Sequence, residues 1–335
     1  MAEARPIRHH ASAGARRRWR GWAFLLIASS LLTSGVGGQE ATPPAWAYPV
    51  MDAGFQRPPD DGRKHRVPGS DKEFTLTEIN DAFNPPDWYP TEHPTMPQTV
   101  AHGRRPDVRA CGQCHMPHGL GHPESSSLAG LSADYIEQQM IDYRAGRRKS
   151  AIPARAASMI AIAGAATDAE VREAAGYFSR LKATKWIRVV ESETVPKTFV
   201  GAGNMRHATP NGGTEPIGQR IIEIPENSEL AEMRDAHSSF VAYVPVGAIK
   251  RGQALVSTGS DGKARCAGCH GPDLKGVGDT PALAGRSPIY LARQLMDFQR
   301  GARNGVYASL MADSVARLNE RDIIDITAYL ASLAP

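Results

Sequence analysis

The sequence predicts an all-α protein: two small helical domains in tandem, separated by a long irregular connector. Three observations predict it. The chain repeats itself at a nearly constant spacing, each repeat carries the same order of helices, and nothing within either repeat alternates as a strand would. At 335 residues the chain is long enough for about two domains. At an offset of 155, Cys111 aligns with Cys266, Leu128-Ala-Gly130 with Leu283-Ala-Gly285, Tyr135 with Tyr290 and Gln139 with Gln294. Asp142 aligns with Asp297, Gly146 with Gly301 and Arg148 with Arg303. After three extra residues in the first repeat the offset becomes 152, pairing Met159 with Met311, Tyr177 with Tyr329 and Leu181 with Leu333.

Each helix has a local reason. One begins near Ser132 and again near Ser287, with serine as N-cap and, in the second copy, Pro288 at the first helical position. Leu291, Leu295 and Phe298 then recur at helical spacing. A closing helix starts at Thr167-Asp-Ala-Glu170, a capping box, and near Asn319 in the second repeat. There it sets Ile323, Ile326, Leu330 and Leu333 on one face. These signals give domains at 100–185 and 247–335, a Pro-rich extension at 48–99 and a connector at 186–246. The extension is either a flexible leader or, through Trp88 and Tyr89, partly packed on the first domain. At 61 residues the connector exceeds an ordinary linker. Its Arg220–Pro225 and Phe240–Pro245 stretches suit short extended segments laid over one or both domains, as a staple or as a partner-docking face.

The net charge of +4 invites a nucleic-acid reading, but the excess lies in the wrong place. Residues 1–47 hold six of the 39 basic side chains and two of the 35 acidic ones, so the remainder carries 33 of each. That balance gives no charge argument for nucleic acid. Residues 1–47 themselves read as a signal peptide, with Arg16–Arg20 as the positive region and Trp22–Leu32 as the apolar run. Cleavage is expected near Gly38 or after Ala45-Trp46-Ala47. The alternative is an uncleaved anchor, although the run is short of the ~20 residues a spanning helix needs. The mature protein is therefore expected in the periplasm, meeting a membrane only through partners or an uncleaved segment.

An exported chain ordinarily uses cysteine for disulfides. The four cysteines here form two short pairs, each running into a histidine: Cys111-Gly-Gln-Cys114-His115 and Cys266-Ala-Gly-Cys269-His270. This is the attachment signature of c-type haem. Two thiols reach the two vinyl groups of one porphyrin, and the adjacent imidazole meets the iron from the same side. Zinc would need the pairs to converge and would not need a histidine after each. A redox dithiol would be expected beside a βαβ pattern, which is missing. The expected cofactors are two covalently bound haem c groups.

Together, the motif, the downstream methionine and the closing helix with its tyrosine resemble the class I cytochrome c fold in its two-domain, two-haem bacterial form, over about 85 residues of each repeat. The resemblance implies a domain wrapped round each haem, with iron held by His115 and Met159 in the first and by His270 and Met311 in the second. The methionines lie 44 and 41 residues after their histidines. For the first haem Met140, His118 and His122 are rivals for the sixth position. The stretch Lys250–Leu255 is similar to the family's first helix, implying close crossing between Gly252 and the Tyr329 region of the last helix. The first repeat departs from this: the residues before Cys111 contain two prolines and no clean helix of that type.

The function this implies is electron transfer between periplasmic or membrane redox partners, with no catalytic residue. One alternative is a cytochrome subunit of a dehydrogenase; the partner on either reading is a redox protein, a dehydrogenase or a terminal oxidase. A less favoured alternative is a dihaem peroxidase, which would recruit His118, His122 and Glu124 at an open sixth position.

Overall fold

The structure, a computed structural model, describes residues 42–259 and 265–335. Of residues 1–47, read above as a signal peptide, residues 1–41 lie outside the described residues. The longer helices of the first half are α1 (Ala133–Arg144), α2 (Ala157–Ala165) and α3 (Asp168–Ser179). Those of the second half are α4 (Ala248–Thr258), α5 (Pro288–Gln299), α6 (Ala308–Val315) and α7 (Glu320–Ser332). The caps act as their residue types require. Ser132 and Ser287 accept from the amides of Tyr135 and Tyr290, while Thr167 with Glu170 and Asn319 with Asp322 form reciprocal capping boxes.

The all-α expectation is not met. Among the described residues the connector folds into seven strands: β1 (Ile187–Glu191), β2 (Thr194–Pro196), β3 (Thr198–Val200), β4 (Arg206–Ala208), β5 (Thr214–Pro216), β6 (Ile222–Pro225) and β7 (Phe240–Val244). They make a three-stranded sheet in the order β1-β7-β6 and two two-stranded ribbons, β2-β5 and β3-β4. β1 runs parallel to β7, with Ile187 opposite Phe240, and β6 runs antiparallel to β7, with Ile222 opposite Tyr243. The physical reason is composition. The connector concentrates β-branched and aromatic residues in short runs, and these satisfy their backbone by pairing across long sequence distances. All four residues of β6 and four of five in β7 are buried, so the sheet is core rather than a surface strap.

The hydrophobic cores cross the sequence regions. Tyr177 and Phe178 of α3 share a cluster with Trp186, Ile187, Phe240 and Ala242. Trp46, Ala47 and Tyr48 pack with Val244, Ile289 of α5 and Ile323 of α7. Their polar groups are also used: Trp46 Nε1 donates to Glu320 Oε1 (2.6 Å), and Tyr48 OH donates to Asp297 Oδ1 (2.8 Å). Part of the extension packs too. Trp88, Tyr89, Ile79 and Val67 form a cluster with Met233, and Trp88 Nε1 donates to the Met233 carbonyl at 2.8 Å. At Gly252 of α4 the chain crosses α7 so closely that a Cβ there would stand 1.9 Å from the Asp325 carbonyl oxygen and 2.9 Å from Tyr329 Cβ.

Candidate cofactor site

Both Cys-x-x-Cys-His runs fold as a single helical turn, Gly112–His115 and Ala267–His270, beginning at the first cysteine. One turn brings the thiols and the imidazole to the same side, as a porphyrin with two vinyl groups requires. In each copy the histidine is buried and its Nδ1 lies 2.8 Å from a backbone carbonyl eleven residues on, Ser126 for His115 and Pro281 for His270. A carbonyl accepts only, so Nδ1 carries the proton and Nε2 keeps its lone pair for a metal. Burial holds both imidazoles below their ordinary pKa and so in the neutral, ligating form. The loop between is built alike in both copies. Gly121 N donates to His115 O at 3.0 Å and Gly276 N to His270 O at 2.9 Å. Burial pushes the Cys111 thiol up to about 12 and the Cys266 thiol up to about 11. A redox-active dithiol needs the opposite shift.

Cys111, Cys114 and His115 line a cavity of about 640 Å³, whose walls include Leu128, Ile136, Val171 and Phe178. A space of that size cannot be left to side chains in a close-packed interior. Its apolar walls, two thiols and one free imidazole nitrogen fit a covalently attached haem. Met159, on α2, lines the same cavity, as does its rival Met140. In the second half Cys266 and Ala267 pack with Val256, Leu274, Leu291 and Ile326, and half-buried Met311 packs on Phe298, Ala308 and Val315.

The structure separates the two histidines that follow the first motif. His122 lines the cavity, with Nδ1 3.6 Å from Glu124 Oε1 and its ring against Phe240. His118 turns away into a second cavity of about 320 Å³. Its Nε2 lies 2.8 Å from the Ala236 carbonyl, tying the connector to the first half, and its Nδ1 accepts from the nearby Leu120 N at 3.2 Å, so both nitrogens are engaged. Burial drives the His118 pKa down to about 4. Below about 6.5 the unfolded chain takes up a proton that the folded one refuses, so stability falls as pH drops from 6.5 towards 4. Above that window the ring is neutral in both states and pH has no purchase on it. His118→Gln is expected to shrink the loss of unfolding free energy between pH 7 and pH 5 by about 2 kcal/mol, read from urea midpoints at the two pH values. An unchanged loss would mean that this ring does not titrate as described.

Sequence reading missed how the halves meet, although its repeat alignment held the signal. The polar residues paired by the 155 offset are the ones that touch. Arg148 donates to Gln139 Oε1 (3.0 Å) and Tyr290 OH (3.1 Å), and Arg303 to Gln294 Oε1 (3.1 Å) and Tyr135 OH (2.8 Å). It also missed Arg234, a connector residue that reaches the first motif.

Comparison with known proteins agrees with this chemistry. The cytochrome c family model matches residues 249–334. Cytochrome c4 of Azotobacter vinelandii is 28% identical over 232 residues, covering 67% of this chain and 84% of that protein. The thiosulfate dehydrogenase electron acceptor of Thiomonas intermedia (strain K12) is 25% identical over 232 residues, covering 68% of this chain and 80% of that protein. Cytochrome c-554(548) of Halomonas halodenitrificans is 36% identical over 77 residues, covering 23% of this chain and 93% of that protein.

Proposed function

Because the chain belongs to the cytochrome c family, binds haem c covalently and carries electrons rather than catalysing a reaction, we propose that it works as an exported dihaem carrier with one haem in each half. The observation that carries this reading is the doubled attachment turn, each with its histidine fixed through Nδ1 to a carbonyl eleven residues on. Bound haem supplies reversible one-electron chemistry at its iron. The chain's own work is to fix the ligand imidazoles, exclude water from the ring faces and set each site's charge. Cys111 and Cys114 would anchor one haem, Cys266 and Cys269 the other. His115 with Met159 and His270 with Met311 are the proposed iron ligands. The coincidence of α1 and α5 at the 155 offset supports descent of the halves from one duplicated unit, with domains near 100–185 and 247–335.

Export to the periplasm fits the proposed signal peptide, and no described helix is long and apolar enough to cross a membrane. Cleavage near Gly38 suits the packing better than cleavage after Ala47. It leaves Trp46 and Ala47 in the mature chain, where they are buried.

A second reading, the electron-accepting subunit of a dehydrogenase, is favoured by the similarity to proteins named thiosulfate dehydrogenase electron acceptor. On both readings the partner is a redox protein, a dehydrogenase or an oxidase.

A spectroscopically monitored redox titration of the haem-loaded protein tests the carrier reading. Two low-spin, high-potential waves insensitive to peroxide are expected. A high-spin haem that reacts with peroxide would overturn it and return attention to His122 and Glu124. Met311→His is expected to keep the second haem attached while lowering its potential, since imidazole favours the oxidised iron more than a thioether does. An unmoved potential would remove Met311 from the ligand set.

A further inference from the structure

Two attachment turns so alike would hold their haems in similar settings, yet among the described residues the connector reaches only the first of them. Arg234 follows the one-turn helix Ser228–Glu232 and takes the left-handed conformation, with φ 59°. From there its guanidinium spans three carbonyl-type acceptors. Nε donates to Ile79 O at 3.2 Å, one terminal nitrogen donates to the Gln113 backbone carbonyl, and the other to the Gln113 side-chain oxygen at 2.9 Å. In that orientation the Gln113 amide nitrogen in turn donates to Asp81 O at 3.1 Å. Gln113 lies between the two cysteines of the first motif, and Arg234 lines the same cavity as Cys111, Cys114 and His115.

Among the described residues Arg234 has no carboxylate within salt-bridge distance, so its charge is not cancelled locally. The cavity walls also carry Glu124, half-buried, with His122 Nδ1 3.6 Å from it and Arg155 donating to its backbone carbonyl at 3.4 Å, together with Glu170, Glu229, Glu232 and Asp297, none of which pairs with Arg234. The second motif has Ala267 and Gly268 in the corresponding turn. The cation beside them, Arg265, is exposed, where water screens it.

We propose that Arg234 is a positioning residue that sets the first haem apart from the second: it clamps the Cys111–Cys114 turn and raises the reduction potential there. The sign follows from charge. The oxidised iron carries one more positive charge than the reduced one, so a fixed cation in low dielectric favours the reduced form. That shift would bias electrons entering the protein towards the first half. The inference rests on the reading that Cys111–His115 carries a haem.

Full-length, haem-loaded Arg234→Gln and Arg234→Lys test it. Haem per chain is measured first, by mass and by pyridine haemochrome; one haem per wild-type chain overturns the underlying reading irrespective of any potential. Spectroelectrochemical titration follows, with the second haem's wave identified as the one that Met311→His moves. Arg234→Gln is expected to shift the reduction equilibrium of the first haem about tenfold towards oxidation, about 59 mV for one electron, leaving the second wave in place. Arg234→Lys keeps the charge and is expected to stay near the wild-type potential. An unmoved first wave in Arg234→Gln overturns the proposal, as does a lysine variant that falls as far as glutamine. Should glutamine abolish attachment of the first haem, the lysine variant alone decides, by whether it restores both the haem and its potential.

Discussion

Replacing both Cys111 and Cys114 by alanine is expected to halve the haem carried per chain and to unfold most of the first half. The cavity of about 640 Å³ would then be without the occupant its walls are shaped for. Leu128, Ile136, Val171 and Phe178 would face empty space, and each would forfeit the dispersion attraction that a filled cavity supplies. His115 and Met159 would keep only reversible coordinate bonds to the iron, which do not hold a haem on the chain through denaturation as two thioethers do. The expected readouts are a haem-to-protein ratio falling from two to one and new protease cleavage between residues 98 and 181, with the second haem's spectrum retained. A ratio that stayed at two would sink the assignment of the first attachment site. Cys266→Ala with Cys269→Ala gives the mirror experiment for the second half.

Gly252→Ala is expected to destabilise the second half strongly. Two effects compete. Alanine is the better helix former by about 1 kcal/mol. Against that, its Cβ would lie 1.9 Å from the Asp325 carbonyl oxygen, backbone of α7 that no rotamer change can move. α4 and α7 would have to separate, disturbing the paired bonds from Arg251 Nε and Nη2 to Asp325 (2.7 and 2.8 Å). Overpacking typically costs about 1–3 kcal/mol and occasionally more, and an overlap this deep with backbone lies at the upper end, so the clash outweighs the propensity gain. A loss of at least about 2 kcal/mol is expected in denaturant titrations followed at the second haem. Equal or greater stability would mean that the two helices do not cross as closely as described.

How far the sequence could be read depended on distance along the chain. Serine caps, capping boxes and the Cys-x-x-Cys-His turns are signals spanning a few residues, and they appear where Ser132, Thr167, Ser287 and Asn319 place them. The crossing at Gly252 followed from the family resemblance and has the expected contact with Tyr329. What escaped was long-range. The pairing of Ile187 with Phe240 joins residues 53 positions apart, and short apolar runs such as Ile187–Val190 carry no mark of their partner. The all-α prediction failed on that account, despite Phe240–Pro245 being recognised as extended. Arg234 escaped for the same reason: nothing about an arginine in a polar loop announces a carbonyl 121 positions earlier. His118 entered only as a rival for the sixth position of the first haem, and both of its nitrogens are engaged elsewhere.

The parallel pairing of β1 with β7 bears on how the chain is made. β1 is synthesised directly after α3, but the strand that completes its ladder is the last element before α4. Phe240 and Ala242 also belong to the cluster around Tyr177 and Phe178. The core of the first half is therefore incomplete until that strand is present. It must wait for about 60 more residues, until position 244 has arrived. Synthesis of the connector thus sets the earliest moment at which the first half can be completed.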